Sequence, residues 1–156
     1  MTTAIPLQPS RNGSLLRAIL VGGAVAGTLD QISAFLTFGW DCPRAVAAGL
    51  LGRQVFMNKS PLLWILGVLL HFLIAFSAAA IYCFSSRRLP FLRDHWLVCG
   101  LYYGIAVFLV MNLIVLPLCG LHAAGPYELP GLIKGIVFHM IVIGLPISFS
   151  LRRLSS

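Results

Sequence analysis

Asp30, His71, Asn112 and His139 each read as the single polar side chain within a separate apolar stretch of this 156-residue chain. An ionisable or imidazole side chain in hydrocarbon is costly, so it faces the protein interior and marks a candidate site. Asp30 with two imidazoles is the donor set of a proton or cation site, because imidazole changes charge near neutral pH. Two histidines at matching depth, His71 and His139, also suit the axial positions of a haem b iron, with nearby glycines making room for the ring. The same histidines with one carboxylate form a transition-metal set, with Asn112 behind them. An Asp/His/Asn/His hydrogen-bond layer that fixes helix register accounts for the four residues without any ligand. The expectation is such a layer, structural or proton-responsive, with no cofactor; haem b or a transition metal is the alternative.

The elements that position these residues follow from composition. Hydrophobic residues make up 59% of the chain and charged residues only 10%, against about 25% charged in soluble domains. Four stretches, about 15–38, 62–86, 96–119 and 131–151, exceed the roughly 18 apolar residues that a bilayer crossing needs. A spanning segment must satisfy its own backbone hydrogen bonds, so all four are helices. The fold class is therefore all-α, an integral-membrane four-helix bundle. It forms one domain, 15–154, after a flexible lead, 1–14.

Charge sets the expected orientation. Arg11 and Arg17 precede the first span, Arg87, Arg88 and Arg93 follow the second, and Arg152 and Arg153 close the fourth. These seven fall on one side, against Arg44, Arg53, Lys59 and Lys134 on the other, which places both termini in the cytoplasm. The net charge of +7 is thus an orientation signal and a contact with lipid headgroups, and nucleic acid is not an expected partner.

Between spans one and two, Asp41-Cys42-Pro43 breaks the helix, and 44–57 reads as a short interfacial helix. Ser60 and Pro61 start the second span. Residues 87–94 form a tight hairpin, and 121–130 form the second outer loop. Pro117 and Pro146 should kink spans three and four. Cys42 and Cys119 both fall near the outer face, where a disulfide is geometrically possible, although buried free thiols suit their spacing better. Tyr82, Tyr102, Tyr103, Trp40, Trp64 and Trp96 sit near span ends and read as interfacial anchors. His122 reads as a solvent-facing loop residue, and Lys134 as a snorkelling one.

Helical rise puts the four polar residues at one depth. Each lies seven to nine residues from the outer end of its span, about 10–14 Å into a core roughly 30 Å thick. Spacing says which way they face. Gly22, Ala26 and Asp30 repeat every four residues, with Gly23 and Gly27 beside them. Gly67, His71 and Ala75 do the same, as do Gly104, Phe108 and Asn112, and Gly135 and His139. Residues four apart share a helix face, and small residues mark faces where membrane helices pack closely. The quartet therefore points inward. Spans two and four each carry a histidine and end in Arg-Arg, which hints at two parallel helical hairpins.

Three stretches carry a family likeness. They are Leu70-His71-Phe72 with Ala80-Ile81-Tyr82-Cys83; residues 100–121, ending Leu116-Pro117-Leu118-Cys119-Gly120-Leu121; and Phe138-His139 with Leu151-Arg152-Arg153-Leu154. On these the chain resembles the YagU-like family of bacterial inner-membrane proteins, whose molecular activity is unassigned. The likeness spans about two-thirds of the chain, from span two to span four. Span one shares only its glycine-rich start, so Asp30 is not carried by it. The resemblance implies a bacterial inner (cytoplasmic) membrane and does not imply an enzyme.

No Walker loop, GxSxG, HExxH or GxGxxG stands in the chain. The expected role is a small, non-catalytic multi-pass membrane protein, acting as a subunit beside a membrane partner or as a homo-oligomer in the lipid bilayer. A proton- or cation-responsive transport element and a bis-His redox protein are the alternatives.

Overall fold

The structure is a computed structural model and describes residues 11–123 and 128–155. The expected lead up to residue 10 and the Gly125-Pro126 part of the second outer loop lie outside the described residues. Four helices are long and apolar enough to cross a membrane. We label them α1 (Arg11–Phe38), α3 (Pro61–Ser85), α5 (Trp96–Leu118) and α6 (Leu129–Leu154). Two short helices connect them, α2 (Cys42–Leu51) and α4 (Phe91–Asp94), and no strand occurs among the described residues. Helix α1 begins at Arg11, so the last residues assigned to a flexible lead are its first turn. The helix expected over 44–57 is shorter, ending at Leu51 where Gly52 takes φ +99°. A 3-10 turn, Arg53–Val55, completes that connection.

Helix α1 is the hub, packed between α3 on one side and α6 on the other, while α5 packs on α6. Its glycines divide the work. Gly22 faces Ile147 and Ser150 of α6, whereas Gly23 and Gly27 face Phe76, Phe72 and Ala75 of α3. On the other pair, Gly100 and Gly104 of α5 approach Ser148, Gly144 and Met140 of α6. Lipid tails are as apolar as leucine, so such close approach, and the dispersion it brings, drives helix association in a bilayer. Gly67 packs differently from expectation: it meets the Pro43 backbone of α2, not another spanning helix. The apolar core of Leu15, Ala18, Ala79, Tyr82, Cys83, Ile147 and Leu151 lies toward the arginine-rich end. There Arg87 donates to Asn12 Oδ1 (2.6 Å), joining the end of α3 to the start of α1.

The second hairpin has a feature the first lacks. Helices α5 and α6 each contain a π turn, Met111–Val115 and Met140–Gly144. Each is followed at once by Leu-Pro, Leu116-Pro117 and Leu145-Pro146. A proline ring clashes with the carbonyl four residues back and supplies no N–H. One wider turn just before it relieves both problems. The expected kinks thus take the form of π turns, with Asn112 inside one and His139 immediately before the other.

Candidate functional site

The quartet resolves into two separate sets. Asp30 on α1 and His71 on α3 face each other, with His71 Nε2 3.8 Å from Asp30 Oδ2. The same nitrogen lies 3.0 Å from the Gly27 carbonyl of α1. A carbonyl only accepts, so Nε2 carries a proton and His71 donates across the helix interface. Gly27 makes this possible, because the missing side chain lets the Phe72 ring and Ala75 of α3 come against α1. The His71 side chain is 13% exposed and that of Asp30 29%, so the pair opens outward on the carboxylate side.

Asn112 and His139 are not joined to that pair. Asn112 Nδ2 donates to the Phe108 carbonyl of its own helix (2.9 Å), and His139 Nδ1 donates to its own Gly135 carbonyl (2.9 Å). The Phe108 ring stands edge-on to the His139 ring at 5.2 Å and fills the space beside Gly135. The shared depth was thus a poor guide to contact. Among the described residues, no three His, Cys, Asp or Glu side chains converge as a metal-binding group.

Gln31 belongs to the first set and was overlooked. It is 7% exposed, and its Oε1 is enclosed without a hydrogen-bond donor among the described residues. Gly23, Gly27 and Gln31 form one four-residue row, whose first two members face α3. An unsatisfied buried oxygen costs about 1–3 kcal/mol, which marks a place where the interior remains polar. Its signal was in the sequence, a second polar residue directly after Asp30, but the row is visible only with Gly27 as its reference.

Helix α2 closes the end of the bundle away from the arginine-rich hairpin. Cys42 lies near Asp30, and its thiol pKa is raised, first by burial and then by that carboxylate. All four cysteines are free. Cys119 sits against Gly49, seven residues along α2 from Cys42, which is about 10 Å of helix and beyond disulfide reach. Arg44 pairs with Asp41 at the start of α2. Phe35, Trp40 and Trp64 stack with centroids 4.6 to 6.2 Å apart, and Trp64 donates to the Trp40 carbonyl (2.9 Å), tying α1 to α3.

Two residues read as interfacial anchors are instead internal. Tyr82 is 2% exposed. Its hydroxyl donates to the Leu92 carbonyl, and that of Tyr103 to the Ala78 carbonyl. The reason is that α3 and α5 diverge, and the two rings, 4.8 Å apart, fill the seam. His122 is exposed at φ +47°, with Nδ1 3.1 Å from the Pro117 carbonyl.

In comparisons with known proteins, the chain matches no family model, no curated protein and no solved structure.

Proposed function

We propose that the chain is a non-catalytic multi-pass protein of the bacterial inner membrane, in which Asp30 and His71 form a proton-responsive joint between α1 and α3. The observation that carries this reading is the position of His71 Nε2, bonded to the Gly27 carbonyl and 3.8 Å from Asp30. Imidazole takes up a proton within the physiological range. A proton on the ring places a positive charge opposite the carboxylate, at the contact between the helices. Gln31 Oε1 supplies a further acceptor one turn beyond Gly27, and Cys42 is the titratable group facing Asp30 from α2. His139 stays outside the joint, because it bonds within its own helix.

Both termini face the cytoplasm in this proposal. The gathering of Arg87, Arg88, Arg93, Arg152 and Arg153 at one end supports it, as does the resemblance to the YagU-like family for the choice of membrane. The test is thermal unfolding of the detergent-purified chain between about pH 5 and 8. The parent's stability should vary with pH across this range, His71→Ala and Asp30→Asn should flatten the profile, and His139→Ala should keep it. A parental profile in His71→Ala would sink the reading.

A further inference from the structure

A groove of about 740 Å³ opens on the side of the bundle at its arginine-rich end, between α3, the α4 hairpin and the first turns of α5. Leu92, His95, Cys99, Ala106, Tyr82 and Tyr103 are among its lining residues. It exists because α3 and α5, unlike the other neighbouring helices, meet chiefly through the tyrosine pair. Both tyrosine hydroxyls are engaged with carbonyls, so the floor presents ring faces instead of free polar groups.

From these observations we infer that the groove is a binding site for one anionic phospholipid. Length is the first argument. The α5 wall runs from His95 to Ala106, about 16 Å of helix, close to the roughly 15 Å depth of one hydrocarbon leaflet. An acyl chain lying along the wall reaches from the interface to the midplane.

Charge is the second. Arg88 and Arg93 flank, in the sequence, the hairpin residues Leu89 and Leu92 that line the groove, and His95 is itself a lining residue. The Arg93 Nε is enclosed without an acceptor, and Arg88 has no acidic partner among the described residues. The chain has four acidic residues, and Asp94 is the one carried by this hairpin, between Arg93 and His95 in sequence. Guanidinium groups bind phosphate with paired N–H donors, and basic pockets on the cytoplasmic side of membrane bundles select anionic headgroups. The hairpin therefore holds the phosphate while the tyrosine seam holds the chain.

The experiment is native mass spectrometry of the full chain in detergent, titrated with phosphatidylglycerol and phosphatidylcholine of matched acyl chains. One phosphatidylglycerol should remain bound at several-fold higher occupancy than phosphatidylcholine. Ala106→Trp fills the groove from an exposed position and should remove that molecule with thermal stability unchanged. Val98→Trp, also exposed, serves the same purpose if Ala106→Trp does not fold. Arg88→Gln with Arg93→Gln should equalise the two lipids. Equal occupancy in the parent, or full phosphatidylglycerol occupancy in a folded, groove-filled variant, overturns the inference. So does a parent that retains neither lipid, the result expected if a protein helix is the true occupant. None of these readouts depends on Asp30 or His71.

Discussion

Gly67 of α3 lies directly against the carbonyl of Pro43 at the start of α2, with no space for a methyl group between them. Because the obstacle is backbone, it cannot turn aside as a side chain would. Gly67→Ala should therefore lift α2 off α3 and cost about 1–3 kcal/mol, the range for overpacking a tight interior. Gly49, whose added methyl would meet Cys119 at an ordinary 3.6 Å, provides the contrast. Gly49→Ala should stay within about 0.5 kcal/mol of the parent. Unfolding of both variants in one detergent checks the pair.

Asp30 and His71 should show an interaction energy, and Asp30 and His139 should not. Interhelical polar contacts in membranes average about 0.6 kcal/mol with a maximum near 1.7, so a double-mutant cycle of Asp30→Asn with His71→Ala should fall in that range. The cycle of Asp30→Asn with His139→Ala should be additive within about 0.5 kcal/mol, since those residues share no partner. Comparable coupling in both cycles would mean that His139 acts in one network with Asp30 and His71.

Gly144→Ala tests the second hairpin. An added methyl runs into the Gly100 carbonyl of α5, at the end of a π turn that has no slack to move away. The expected loss is again about 1–3 kcal/mol, with the contact between α1 and α3 intact. Hydrogen exchange should accelerate in α5 and α6 and remain slow in α1 and α3 around Gly27 and His71.

Cys42 offers a pH-dependent readout. Burial and the Asp30 carboxylate both raise its thiol pKa, so the reactive thiolate appears only at higher pH than for an ordinary thiol. In a chain lacking the other three cysteines, maleimide labelling should be slow at pH 8 and quicken as pH rises. Asp30→Asn removes a neighbouring negative charge, which favours the thiolate. Labelling at pH 8 should then speed up. An unchanged rate would mean that Asp30 does not act on this thiol.

Much of this architecture was legible before any coordinates. The apolar stretches gave four helices within a few residues of their ends, and four-residue spacing placed Gly22, Gly27, Gly104 and Gly135 on packing faces. What spacing could not give was the neighbour. Equal depth for Asp30, His71, Asn112 and His139 defines a layer, but rotation and helix order decide who touches whom, and α1 takes only His71. Pro117 and Pro146 announced distortion without revealing that a π turn absorbs it. Tyr82 and Tyr103 were misjudged for a similar reason. A tyrosine near a helix end suits the interface, unless two helices diverge and leave a seam to fill.

The order in which the helices pack has a consequence for biosynthesis. The hub, α1, precedes the other three long helices described, and its glycine face is matched by α3, the next long helix to be made. That hairpin can close before any later helix exists. The last pair, α5 and α6, closes through its own glycines, and α6 alone then carries the broad contact back to α1. Assembly by completed units, earliest first, suits a chain inserted as it is synthesised. Only the α1 face that meets α6 waits for a partner made later.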